Sequence, residues 1–175
     1  ESRSFLPQDE IIYGMLRKDR ILDIIRNFVF YDGLHKKVAR YQQFFAVKKT
    51  LKQISTMDPK NPNRRKGGII WHTQGSGKSL TMVMLVRALI ENEDIKNPRV
   101  IIVTDRINLD RQIKSTFENG GLKKDIVRTV SGEDLLRRIK KKDDSVLTTI
   151  IDKFNSASNR SKSFVDDIAD AAKDA

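Results

Sequence analysis

Strands and helices alternate along the second half of this 175-residue chain, and that rhythm constrains the fold more than any other feature. The runs 99–104 (Val100, Ile101, Ile102, Val103), 126–130 and 146–151 are rich in Val and Ile, and the segments between them, 107–117 and 131–142, carry apolar residues at helical spacing. Strands that are apolar at consecutive positions need cover on both faces, and an intervening helix is the usual return path to a parallel neighbour. The same order begins upstream, where 68–72 (Ile69, Ile70, Trp71) predicts a strand and 78–91 a buried helix that is apolar nearly all round. The predicted fold class is therefore α/β, a parallel sheet with helices on both faces, preceded by a helical segment.

That preceding segment reads as two short helices or one bent helix over 8–28, because Ile11, Ile12, Met15, Leu16, then Ile21, Leu22, Ile24, Ile25 and Phe28 recur at helical spacing. An extended stretch at 28–31, a turn at Asp32 and Gly33, and a helix over 38–54 with a stripe including Tyr41, Phe45 and Leu51 follow. The segment 58–68, with Pro59, Pro62, Gly67 and Gly68, predicts a loop. Ser131 is placed to cap the helix over 131–142, whose Glu133 and Asp134 suit its positive end. Arg137, Arg138, Lys140, Lys141 and Lys142 suit its negative end and form a solvated face.

Composition removes several function classes. With 38% hydrophobic and 33% charged residues the chain can build a core, and it holds no apolar run approaching a membrane span. The absence of Cys excludes thiolate chemistry and disulfide frameworks, and two isolated His residues make a poor metal cage. A cytoplasmic location is expected. The net charge of +11 favours a phosphate-rich partner such as nucleic acid. The chain starts at Glu1 rather than Met, which points to a piece of something longer.

The sharpest chemical signal lies between the strand at 68–72 and the helix from Lys78: Thr73, Gln74, Gly75, Ser76, Gly77, Lys78, Ser79. Glycines allow backbone N–H groups to turn inward around phosphate oxygens, and the helix N-terminus adds partial positive charge. Lys78 is placed to reach the β- and γ-phosphates, and the Ser79 hydroxyl to ligate a Mg²⁺ ion held by the nucleotide. His72 stands where the general phosphate-loop pattern has its first Gly, and reads as a packing residue at the strand end.

Four stretches carry a more specific likeness: 21–28; 39–47 (Arg40, Tyr41, Gln42, Gln43, Ala46, Val47); 67–79; and Val103, Thr104, Asp105, Arg106 with Leu109, Asp110 and Gln112. Over about 20–154 the chain resembles the motor (restriction, R) subunit of type I restriction enzymes, a superfamily 2 helicase-like DNA translocase. The resemblance implies a P-loop NTPase of RecA-like fold, with 1–35 a helical linker segment and 36–175 the N-terminal part of the first RecA-like domain. ATP and Mg²⁺ are the implied cofactors. Double-stranded DNA and the modification and specificity subunits are the implied partners, and no membrane is involved.

The resemblance makes Gln43 the adenine reader, preferred over Gln42 for its spacing to Ala46 and Val47, since an amide offers both a donor and an acceptor. It makes Thr104 and Arg106, and further on Thr148 and Thr149, contacts to the DNA backbone. On residue type alone, Asp105 is as well read as the cap of the next helix, and Thr148 and Thr149 as buried strand residues. The acidic box of such motors is not evident: Asp152 is followed by Lys153, and only Phe164, Val165, Asp166 and Asp167 stand beyond. The second motor domain and a nuclease constellation are likewise not evident, so the chain is expected to be one part of a motor that hydrolyses ATP and moves DNA when intact. Other superfamily 2 motors, of type III restriction or repair, and a non-catalytic nucleotide- or DNA-binding module remain open as alternatives.

Overall fold

The computed structural model describes residues 4, 6–141 and 146–160. The expected helical start is a pair: α1 (Pro7–Met15) and α2 (Lys18–Asn27). Pro7 opens α1, and the Asp9 carboxylate accepts the Leu6 N–H at 2.8 Å. An antiparallel hairpin follows, β1 (Val29–Asp32) with β2 (His35–Val38), turning at Gly33 with φ 61°. Helix α3 (Tyr41–Ile54) therefore begins later than the periodicity predicts, because 35–38 pairs with β1. Its expected stripe is also rotated. Phe44 and Val47 enter the core, while Tyr41, Phe45 and Leu51 are half-buried. Phe44 meets Phe28 edge-on at 4.9 Å, and Phe45 lies beneath the Arg20 guanidinium.

The expected loop at 58–68 contains a small hairpin, β3 (Met57–Asp58) and β4 (Asn61–Arg65). Asp58 makes the turn that composition alone obscures, since its carboxylate accepts the Lys60 N–H at 2.9 Å.

Helix α4 (Lys78–Ile90) is apolar all round for a visible reason: it serves two cores. Met84 and Ala88 pack with Ile24, Phe28, Phe30, Phe44 and Val47, joining the helical start to the rest of the molecule. Val83 and Val86 face the sheet, with Ile113, Phe117, Ile126 and Val146.

The sheet is parallel and three-stranded among the described residues: β5 (Val100–Thr104), β7 (Val146–Ile150) and β6 (Ile126–Arg128), with β7 in the middle. Helix α5 (Ile107–Phe117) covers the α4 side, while α6 (Gly132–Lys141) and α7 (Ile151–Arg160) cover the other through Leu135, Ile139, Leu147 and Ala157. Alternation along β7 explains this division, with Val146 facing α4 and α5, and Leu147 facing α6 and α7. Gly132 lets α6 and α7 touch, because a Cβ there would lie 2.8 Å from Lys153 O and 2.9 Å from Ala157 N.

One expected strand does not form. Residues 68–72 are irregular, with Ile69 93% and Trp71 90% exposed. An apolar run becomes a parallel strand only beside a partner that takes up its N–H and C=O groups. Among the described residues, no strand lies next to 68–72. The fold class is α/β with helices on both faces of the sheet, as expected, but among the described residues, 73–79 do not follow a sheet strand.

Candidate nucleotide site and sheet-edge loops

Sequence puts the loop's conformational freedom where the backbone requires it. Gly75 and Gly77 take φ of 75° and 82°, a region that disfavours side chains, and Gly77 is the N-cap of α4. Lys78 and Ser79 thus occupy the first helical turn, where free N–H groups and the helix dipole concentrate positive potential. The Thr73 carbonyl collects donors at the loop's centre: Ser76 N–H at 3.3 Å, Ser76 Oγ at 2.7 Å and Lys78 Nζ at 2.7 Å. His72 Nδ1 lies 3.3 Å from Ser76 Oγ. Through this contact His72 braces the loop instead of ending a strand.

Helix α3 forms the opposing wall. A cleft of about 1270 Å³ runs between it and 68–76, lined by Tyr41, Gln42, Gln43, Lys49, Trp71 and Gln74 among others. Gln42 faces this space and is exposed, whereas Gln43 is only 4% exposed. Gln43 Oε1 accepts the Arg40 N–H at 2.9 Å, and its Nε2 donates to Ser76 O at 3.3 Å and Gly77 O at 3.2 Å. The structure therefore joins Gln43 to Ser76 and Gly77 across 33 or 34 residues of sequence separation, lines one cleft with Gln43, Thr73, Gln74, Gly75 and Ser76, and leaves Lys78 and Ser79 in the adjoining first turn of α4.

The sheet-edge residues are placed unevenly. Arg106 projects from the start of α5 with 81% of its side chain exposed, 3.3 Å from the Asp105 carboxylate. Arg106, not Asp105, is the N-cap of that helix. Thr104 is buried, its hydroxyl 3.4 Å from both Arg106 O and Thr149 O, which ties the loop to β7. Thr148 and Thr149 are fully buried, so their side chains are withdrawn from any external phosphate in this arrangement. Lys153, which follows them, donates to Thr129 O at 2.7 Å.

Two ionic features escaped the sequence reading. Asp110, fully buried on α5, accepts from Arg128 Nε at the end of β6, while Asp110 Oδ1 has no hydrogen-bond partner. No local pattern links residues 18 apart, so only the docking of α5 on the sheet reveals the pair. Asp134, expected at the positive end of α6, pairs with Arg137 and Arg138 of the expected basic face. Burial pushes its carboxyl up, but the Val130 N–H and the Arg137 and Arg138 guanidiniums outweigh burial and hold it at about 2. Ser131 caps α6 as expected, accepting the Asp134 N–H at 3.1 Å. The stretch 164–167 lies outside the described residues.

Residues 42–173 match the family model described as SWI2/SNF2 ATPase. The chain belongs to that family. Its relatives also bear out the resemblance read from residues 20–154. The endonuclease subunit of the type I restriction enzyme HindI, from Haemophilus influenzae, is 34% identical over 152 residues, covering 82% of this chain and 14% of that protein. A Methanocaldococcus jannaschii protein named as the type I restriction enzyme MjaIXP endonuclease subunit is 30% identical over 152 residues, covering 86% and 14%. The Staphylococcus aureus (strain COL) subunit SauCOLORF180P is 31% identical over 118 residues, covering 67% and 12%. This SWI2/SNF2 ATPase chain spans about one-seventh of the first two relatives, at 14% of each. The family match takes in α3 from Gln42, the loop 73–77, α4 and the sheet. No described helix is long and apolar enough to cross a membrane.

Proposed function

We propose that residues 73–79 seat the triphosphate of ATP and that the chain serves a cytoplasmic type I restriction motor subunit. On this reading it is the N-terminal part, 36–175, of a first RecA-like domain, led by the helical segment 1–35. The observation that carries the proposal is the left-handed turn at Gly75 and Gly77, which delivers Lys78 and Ser79 to the N-terminus of a 13-residue helix just after Thr73, Gln74, Gly75 and Ser76, which line a large cleft. Phosphate oxygens would take over the donors now gathered on Thr73 O, the Lys78 ammonium among them. No group of three or more metal-ligating side chains occurs among the described residues. Mg²⁺ would be held by the nucleotide with Ser79 as a protein ligand, neutralising phosphate charge.

The exposed guanidinium of Arg106 is the part of the sheet edge best suited to a DNA phosphate. Thr104 shapes that loop from beneath, and Thr148 and Thr149 act through the strand behind it. Hydrolysis, movement along double-stranded DNA and cleavage belong to the longer subunit, working with modification and specificity subunits.

Calorimetry tests the nucleotide assignment. Lys78→Ala should weaken Mg·ATP binding by roughly tenfold or more, as expected for loss of a charge-assisted contact. An unchanged affinity would place the nucleotide elsewhere.

A further inference from the structure

Gln43 has a definite hydrogen-bonding polarity that follows from its partners. The Arg40 N–H requires an oxygen, and the Ser76 and Gly77 carbonyls require a nitrogen, so Oε1 faces α3 and Nε2 faces the loop. Adenine selection by one amide needs a donor and an acceptor presented to the base edge together. Here the donor side points at two main-chain carbonyls, and the group is almost fully buried. The fit is close as well, since a Cβ on Gly77 would stand 2.6 Å from Gln43 Nε2.

The geometry of the peptide unit gives this contact its consequence. In a planar trans peptide, the C=O of one residue and the N–H of the next point in opposite directions. No cis peptide occurs in the described chain. Holding Ser76 O and Gly77 O toward α3 therefore turns the N–H groups of Gly77 and Lys78 the other way. Gly77 O is also anchored by α4 through Thr81 N–H at 3.0 Å, whereas Ser76 O precedes the helix and is held by Gln43.

We infer that Gln43 is a positioning residue for the phosphate loop, fixing the direction of the Gly77 and Lys78 amides, and that it governs triphosphate affinity independently of the base. The inference rests on the assignment of 73–79 as the phosphate site.

The test uses the full chain and three probes: Mg·ATP, Mg·GTP and inorganic triphosphate, which has no base. Gln43→Glu keeps an acceptor for the Arg40 N–H but removes both donors to the loop. Its affinity should fall by roughly tenfold for all three probes alike. A second readout needs no ligand: amide hydrogen exchange over 75–79 should quicken in Gln43→Glu and in the neutral Gln43→Met, while exchange across β7 stays unchanged. A loss confined to ATP, or unaltered loop exchange in both variants, would overturn the inference and return Gln43 to base reading. Failure of the unsubstituted chain to bind any of the three probes would instead overturn the phosphate-site assignment.

Discussion

Two apolar runs of similar composition have opposite fates in this chain. Val146–Ile150 is buried at every residue, hydrogen-bonded on both edges and covered on both faces. Residues 68–72, with Ile69, Ile70 and Trp71, stay irregular and largely exposed. Apolar composition therefore supplies a strand's tendency, but neighbours supply the strand. The contrast also separates two ways of building a site. The sheet edge at Thr104 and Arg106 is fixed from behind by β7, while the glycine loop at 73–77 depends on α3 and α4, through Gln43 and the N-cap at Gly77.

Breaking the sheet side should have the largest effect. Arg128→Met leaves the Asp110 carboxylate buried without its cation, and should cost about 3–5 kcal/mol in urea unfolding. Adding Asp110→Leu should recover most of that loss. If the single variant is as stable as the parent, the pair does not hold α5 to the sheet. Next comes Leu147→Ala, which removes a buried side chain from the middle strand and should cost roughly 2–5 kcal/mol.

Acid provides a smaller, reversible perturbation. Asp134 is held below its ordinary value of 3.8, at about 2, so its ion pairs contribute fully above about pH 4 and are lost as pH falls towards 2. A loss on the order of 1–2 kcal/mol is expected across that window, and Asp134→Asn should flatten it. Smallest of all should be Trp71→Ala, which changes an exposed residue of the irregular run and should shift stability by no more than about 0.5 kcal/mol. A loss comparable to that of Leu147→Ala would show that 68–72 is packed in solution, and the contrast between the two runs would fail.

Much of this was legible in the sequence because it rests on local physics. The helix over 107–117 is reproduced residue for residue, and the Gly75 and Gly77 turns, the Ser131 cap and the buried α4 follow from residue type and spacing. What stayed hidden depends on partners distant in the chain. Val38 pairs with Val29 of β1 instead of opening α3, and Asp110 finds Arg128 only once α5 lies on the sheet. Gln43 was singled out as a residue of the nucleotide site, but its direction toward the loop carbonyls is set by how α3 meets α4. Residue type alone allows Thr148 and Thr149 to be buried strand residues, and they are buried in the central strand β7.

Backbone amide chemical shifts, recorded while Mg·ATP is titrated into the chain, address the nucleotide site most directly. The account predicts that the largest changes fall on the amides of 74–79, that inorganic triphosphate reproduces them, and that AMP at equal concentration does not. Changes centred on another part of the molecule, or an equal response to AMP, would contradict it.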